Sequence, residues 1–153
     1  MIEIRRTKMA TAFTTYTDGE VVAKASGGNY AGAPVRTVLT GYYDSTRRNM
    51  TVDGDTMEVV NIPAGTLIES VILEVITAET SATPTIDVGD GTDPNGWVAA
   101  ASSATIAKLL GAGAYVVAGG KFYATADTLD IAMPTGDDAT TLVCKIHVIC
   151  TIV

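Results

Sequence analysis

The densest group of potentially metal-binding side chains lies in the sequence Asp87-Val-Gly-Asp-Gly-Thr-Asp-Pro-Asn-Gly-Trp97. The carboxylates of Asp87, Asp90 and Asp93 are candidates for a Ca²⁺ site, since Ca²⁺ takes several flexible oxygen ligands. Their spacing differs from the EF-hand loop, which needs a glycine at its sixth position and a glutamate at its twelfth. Asp, Gly, Pro and Asn also build turns for purely local reasons. The sequence favours a turn and leaves the three aspartates as weak calcium candidates.

The other reactive side chains, Cys144, His147 and Cys150, all lie in the last apolar run of the chain. Six residues of one β-strand span about 20 Å, whereas the Cα atoms of a disulfide lie within about 7 Å. The cysteines therefore cannot pair within one strand, and we expect two free thiols that pack as small core residues. His147 has the opposite parity and points to the other face, which excludes a shared metal site or a Cys-His nucleophile.

No other sequence pattern supports catalysis or cofactor binding. No Gly-x-Ser-x-Gly elbow precedes a helix, and neither Gly89-Asp-Gly91 nor Gly111-Ala-Gly113 continues into a phosphate-binding loop. Trp97, the single tryptophan, is a candidate anchor for a partner or a sugar, although a place in the core or at its rim is the stronger expectation. We predict that the protein is not an enzyme and carries no cofactor.

Short apolar strands separated by turns must position all of these residues. The pattern predicts a mostly antiparallel β fold, an all-β two-sheet sandwich. Residues 66–77 are apolar on both parities, which predicts a central strand buried on both faces. Gly119-Gly120 predicts a two-residue hairpin turn, and the segment that ends at Leu110 is either one helical turn or a crossover. The predicted strands cover residues 57–62, 66–77, 85–88, 97–101, 114–118, 121–125, 127–133 and 141–153.

Charge divides the chain near residue 50. Residues 1–50 carry seven basic and four acidic side chains, a net charge of +3, whereas residues 51–153 carry three and 13, a net charge of −10. A weakly apolar basic segment beside a compact acidic domain is typical of an arm that becomes ordered on a neighbour. We therefore predict an extended N-terminal arm over 1–50 and a sandwich over 51–153. The predicted partner-binding residues are Arg5, Arg6, Tyr42, Tyr43, Arg47 and Arg48.

Composition also limits the class of partner. A sequence pI near 4.5 argues against direct binding of nucleic acid, because phosphate contacts depend on clustered Lys and Arg. No apolar run reaches the roughly 18 to 20 residues of a membrane span. Residues 1–10 show no secretory signal, so synthesis in a cytoplasm is the expectation.

Three stretches carry a family resemblance that covers about residues 57–153. They are Asn61-Ile-Pro-Ala-Gly-Thr-Leu-Ile-Glu-Ser-Val-Ile-Leu-Glu-Val75, Thr85-Ile-Asp-Val-Gly-Asp-Gly-Thr92 and Gly119-Gly-Lys-Phe-Tyr-Ala-Thr-Ala-Asp-Thr-Leu-Asp-Ile131. The chain resembles the small jelly-roll proteins of tailed-bacteriophage virions, which include capsid decoration, or cement, proteins. The resemblance implies a sandwich of jelly-roll type that forms a homotrimer on the outer capsid surface. It also implies that the major capsid protein is the partner and that the trimer bridges its subunits to stabilise the shell.

The alternative keeps the sandwich and changes its role to a receptor- or glycan-binding module of a phage head or tail fibre. Such a module requires an exposed aromatic surface near Trp97, whereas a decoration protein requires an extended contact with the shell.

Overall fold

A computed structural model of the protein describes residues 34–50, 55–80, 84–133 and 138–153. Arg5, Arg6 and the rest of the predicted arm up to residue 33 lie outside the described residues. The predicted partner-binding residues Tyr42, Tyr43, Arg47 and Arg48 lie within them.

Two antiparallel sheets form the described part of the chain, as predicted. The larger sheet has the strand order β1-β9-β3-β6, with β7 paired to β3 beside β6, and the smaller has the order β2-β8-β4-β5. The strands are β1 (Val35–Asp44), β2 (Thr56–Ile62), β3 (Thr66–Thr77), β4 (Thr85–Gly89), β5 (Val98–Ser102), β6 (Ala107–Leu110), β7 (Lys121–Tyr123), β8 (Asp127–Ala132) and β9 (Val143–Ile152). A single described helix, α1 (Ala114–Val117), precedes β7.

The core lies between the sheets and is built by alternation along the strands. In β9 the even-numbered residues from Cys144 to Cys150 are fully buried, whereas the odd-numbered ones are half-exposed. In β3 a register shift between Ile68 and Ser70 changes the inward parity, so that Ile68 and Val71 both face the core. The prediction that β3 is buried on both faces is wrong for its outer face, where Leu67 is 39% exposed.

Residues 114–118 form the helix α1 rather than the predicted strand. Gly113 accepts the backbone N–H groups of Val116 and Val117, which closes the turn. Gly119 and Gly120 have φ of 86° and 114°, and these left-handed values end the helix and lead into β7. The two glycines therefore have the predicted positive φ, but they join a helix to a strand instead of two strands. The segment that ends at Leu110 forms strand β6 rather than the predicted helical turn or simple crossover.

Strand β1 shows that residues 34–50 are part of the sandwich rather than of an external arm. It pairs along its whole length with β9, from Val35 opposite Ile152 to Asp44 opposite Val143. Leu39, Tyr43 and Met50 are buried in the core. The predicted boundary after residue 50 thus fails for this segment, because the basic net charge of residues 1–50 does not prevent β1 from contributing alternate residues to the core. The arm assignment stays a prediction for residues 1–33.

Cys144 and Cys150 are free thiols buried in the core, as predicted. Burial raises the pKa of Cys144 to about 12 and that of Cys150 to about 11. Because the thiolate is the reactive species, we expect neither thiol of the folded protein to react with an aromatic disulfide reagent at about pH 8. Both thiols should react after denaturation in guanidinium, which provides the control. Rapid reaction of one thiol in the native protein would contradict its burial.

Candidate interaction surface

Asp90, one of the three weak calcium candidates, is buried and fully engaged by protein donors. Its Oδ2 accepts from Lys121 Nζ at 2.6 Å and from the hydroxyl of Tyr123 at 2.7 Å. Its Oδ1 accepts from the Tyr115 hydroxyl at 3.2 Å and from the backbone N–H groups of Thr92 and Asp93. Burial alone would raise the pKa of Asp90, but these hydrogen bonds hold it below its ordinary value. Lys121 therefore supplies the positive charge that a calcium ion would have supplied.

The three aspartates do not converge on one point. Oδ1 of Asp87 accepts from the backbone N–H of Ala100 at 2.6 Å, whereas Asp93 contributes its backbone carbonyl to the turn by accepting from Asp90 and Gly96. Within the described ranges, no three Asp, Glu, His or Cys side chains are grouped so as to hold a metal ion. The loop from Gly89 to Trp97 is a turn held by its own aspartates and by Lys121.

Trp97 is fully buried and completes the cluster around Asp90. Its Nε1 donates to the Tyr123 hydroxyl at 3.2 Å, and its ring meets Tyr115 edge to face at a centroid distance of 5.4 Å. Lys121 Nζ lies 4.2 Å from the centre of the Tyr115 ring. Sequence reasoning placed Trp97 in or near the core but did not identify Lys121, Tyr115 or Tyr123 as its neighbours.

The predicted partner-binding residues near the end of β1 occupy different environments. Tyr43 is buried, and its hydroxyl donates to the backbone carbonyl of Arg48 at 2.9 Å, so it is a core residue and not a contact residue. Tyr42 is half-buried on the opposite side of β1, opposite Lys145. Arg47 and Arg48 are exposed in the turn that follows. The four residues therefore do not form one patch.

A larger exposed surface lies on the outer side of the five-stranded sheet. Val38 in β1, Leu67 in β3, Leu110 in β6 and Phe122 in β7 project from it with exposures of 47%, 39%, 67% and 53%. Leu67 lies opposite Phe122 across two strands, and half-exposed Ile72 and Ile149 lie between the four. We call this surface the apolar face. Exposed apolar patches on a folded protein mark interaction sites.

Polar groups on the apolar face are joined to one another. Arg36 binds Glu69 at 2.7 Å, and Glu74 accepts from Lys108 at 3.0 Å and from His147 at 2.9 Å. Hydrogen bonds to His147 and Lys108 lower the pKa of Glu74. The face therefore combines exposed apolar side chains with charges that, apart from that of Lys145, are paired with described neighbours.

The outer side of the four-stranded sheet has the opposite character, and we call it the acidic face. It carries Glu58, Asp87 and Asp130, and no described Lys or Arg projects from its strands. Burial, together with the charges of Glu58 and Asp127, raises the pKa of Asp130. One carboxylate oxygen of Asp130 is buried without a hydrogen-bond partner. The two outer faces of the sandwich thus differ in both charge and apolar exposure.

Comparison with known proteins supports the fold but gives no family. No family model and no curated protein matches the chain. A chain of the cyanophage Pam1 capsid asymmetric unit is similar in structure, with a TM-score of 0.60 and 20% identity over 86% of this chain and 94% of that one. This chain has the fold of proteins from phage capsids. A chain of the Ralstonia phage GP4 capsid gives a TM-score of 0.63 and 16% identity, over 84% of this chain and 90% of that one.

A third chain with this phage-capsid fold comes from the acidic stable capsid structure of the Helicobacter pylori bacteriophage KHP30. Its TM-score is 0.51 and its identity 13%, over 78% of this chain and 92% of that one. Since the matches cover nearly all of each phage chain, the similarity extends over whole chains of comparable length.

The apolar face was not identified from the sequence, although the mixed apolar parity of residues 66–77 was its signal. The described part of the chain contains no helix of the length and apolar character required to cross a bilayer.

Proposed function

We propose that this protein is a structural component of a bacteriophage virion, a capsid decoration (cement) protein that trimerises on the outer surface of the head. In this role it bridges subunits of the major capsid protein and stabilises the shell. The observation that carries the proposal is the similarity to chains of three phage capsid structures, over 90–94% of the length of those chains.

The surface chemistry supports adhesion rather than catalysis. The buried carboxylates of Glu79 and Asp90 are engaged by backbone, hydroxyl and Lys donors, so neither is available as an acid or base. The apolar face offers exposed side chains from four strands. Contact over an extended area, repeated by the copies of a closed trimer, gives durable attachment even when each footprint is weak.

The N-terminal residues are proposed as the second contact with the shell. Residues 1–33 carry four basic and three acidic side chains, whereas residues 34–153 carry six basic and 14 acidic ones. Arg5 and Arg6 are therefore the proposed cationic contacts of the arm, and the exposed Arg47 and Arg48 are proposed contacts of the domain. Arg suits this role because its planar guanidinium binds carboxylates in a bidentate manner.

Particles that lack this chain provide the test. Purified protein is added to such shells, and its position is determined by cryo-electron microscopy while DNA release is followed during heating. We expect density for trimers on the outer surface between capsid subunits and a higher temperature of DNA release. Density at a tail or fibre, or no density on the shell, would contradict the proposal.

Removal of residues 1–33 should weaken shell binding by roughly tenfold or more without unfolding the sandwich, because β1 begins at Val35. Removal of residues 1–50 should instead unfold the protein, since it deletes a whole strand and the buried Leu39, Tyr43 and Met50. Thermal melting checks folding, and cosedimentation with shells measures binding.

The full-length variant Arg5→Glu/Arg6→Glu isolates the contribution of charge, with Lys24→Glu as its control. Unchanged occupancy after the shorter deletion would exclude the arm as a contact.

The alternative role, glycan or receptor binding by a fibre module, gains no support from the site expected for it. The side chain of Trp97 is fully buried and packed against Tyr115 and Tyr123. A sugar cannot stack on this ring without opening the core. Screening of the protein on a glycan array measures this alternative directly.

A further inference from the structure

The exposed apolar side chains are distributed unequally over the surface. Among the described residues, seven large hydrophobic side chains are exposed, and four of them, Val38, Leu67, Leu110 and Phe122, project from the apolar face. Of the other three, Ile106 lies in the turn before β6, Val117 in α1 and Val153 at the chain end. None projects from the strands of the acidic face. A single sheet surface therefore carries most of the apolar area that a partner could cover.

Charge on the apolar face defines the kind of surface that fits it. Arg36 is neutralised by Glu69, and Lys108 and His147 both bind Glu74. Lys145 lies on the central strand β9, with Tyr42 on one side and Glu74 on the other, and it forms no ion pair with the described residues. The face thus presents apolar side chains among paired charges, with one cation that has no ion pair among the described residues. A complementary partner has an apolar surface and a carboxylate opposite Lys145.

We propose that the apolar face docks onto a different protein of the shell, one that presents an apolar surface with a carboxylate opposite Lys145. This inference rests on the proposed capsid role and names the surface through which the domain would perform it. Burial of Val38, Leu67, Leu110 and Phe122 supplies the affinity, and Lys145 contributes orientation.

A second copy of this chain fits the apolar face less well. The acidic face of another copy would offer carboxylates to Lys145, but no exposed large hydrophobic side chain projects from its described strands. An isologous contact of two apolar faces repeats every contact by symmetry, and the carboxylates that it could offer to Lys145, those of Glu69 and Glu74, are already bound by Arg36, Lys108 and His147. On this proposal the trimer contact uses another surface of the domain.

The test compares the same substitution on and off the apolar face. Phe122→Asp and Val38→Asp place a carboxylate on the face at side chains that are already exposed, so the fold should be retained. Val117→Asp and Ala118→Asp are matched controls, because these side chains are exposed, Val117 to 84%, but lie in α1 and directly after it. The full-length proteins are added to shells that lack this chain, binding is measured by cosedimentation, and the oligomeric state is measured by light scattering.

Phe122→Asp and Val38→Asp should each weaken shell binding by roughly tenfold or more, while the controls stay within about threefold of the wild type. All four variants should keep the oligomeric state and the melting temperature of the wild type. Lys145→Gln tests the charge without changing the apolar area. It should weaken binding at low salt and reduce the dependence of binding on salt concentration.

Each other outcome overturns the inference. Equal binding by the face variants and the controls would exclude the face as a docking site. Loss of the oligomer in Phe122→Asp would make the face a contact between copies. A fall in melting temperature in the face variants but not in the controls would indicate that another part of the same chain covers the face. If the wild-type protein itself does not bind shells, the proposed function fails, and this inference fails with it.

Discussion

Substitution of Lys121 by Met is expected to lower the free energy of unfolding by about 3 kcal/mol or more, because it leaves Asp90 buried without its counter-ion. Asp90 is 1% exposed, and Lys121 Nζ lies 2.6 Å from its Oδ2. Burial alone would lower the pKa of Lys121, but hydrogen bonds to Asp90 and Tyr115 raise it. The pKa of Asp90 is lowered and that of Lys121 is raised, so both groups are charged at neutral pH. Urea unfolding at pH 7, followed by the fluorescence of Trp97, measures the loss.

Lys108→Met provides the matched control for this prediction. Lys108 also pairs with a carboxylate, Glu74 at 3.0 Å, but its side chain is 69% exposed, so the loss should be at most about 1 kcal/mol. The double variant Asp90→Asn/Lys121→Met should lose less than the sum of the single variants, because no unpaired buried charge remains. Similar small losses for Lys121→Met and Lys108→Met would show that the buried pair contributes no more than a surface pair.

Substitution of Glu79 by Gln is expected to lower the free energy of unfolding at pH 7 by about 3 kcal/mol. Glu79 is 3% exposed and lies just after β3, where Oε2 accepts the backbone N–H groups of Thr140, Thr141 and Leu142. Oε1 accepts the N–H of Thr80. A glutamine keeps one acceptor oxygen and turns an NH₂ group towards donors, so several backbone N–H groups before β9 lose their partner.

The pH dependence identifies the charge of Glu79 as the source of this stability. Burial alone would raise its pKa, but the backbone N–H groups of Thr141, Thr80 and Thr140 lower it from 4.5 to about 2. A carboxylate with a lowered pKa in the folded state stabilises the protein above pH 4.5, and this stability is lost as the pH falls towards 2. The difference between the wild type and Glu79→Gln should therefore be constant at neutral pH and shrink over that acid range.

Glu58→Gln is the control for Glu79→Gln, because Glu58 is exposed on β2 and its substitution should change stability by less than about 0.5 kcal/mol. Some acid sensitivity should persist in Glu79→Gln, since Asp90 also has a lowered pKa. A difference between wild type and Glu79→Gln that is unchanged down to about pH 2 would show that the ionised carboxylate is not the stabilising group.

Local alternation was sufficient to predict much of the sandwich. Residues 66–77 and 127–133 were predicted as strands and form β3 and β8 with nearly the same bounds. The even parity of the last run predicted both that Cys144 and Cys150 face the core and that His147 faces outwards. These features follow from neighbours two residues apart, and this period is visible in a single sequence.

Tertiary contacts overrode the local pattern elsewhere. Val116 and Val117 favour a strand by propensity, but they form the helical turn α1. Two glycines lie on each side of this turn, and its Tyr115 packs on Trp97. Residues 35–44 were assigned to an arm with the rest of residues 1–50, yet β9 pairs with all ten of them. Gly41 permits this placement, because a Cβ atom there would lie 2.5 Å from the carbonyl oxygen of Val59.

The sequence by itself determined the β class, the inward parity of the last strand and the free state of its cysteines, since each depends on residues close together in the chain. Only the tertiary structure decided that Lys121 neutralises Asp90, 31 positions away, and that Glu79 binds the segment before β9, 61 to 63 positions away. It also decided that apolar residues of β1, β3, β6 and β7 share one face. The physical reason is that strand order and register set which distant side chains meet, and the local alternation of a strand does not specify its partner.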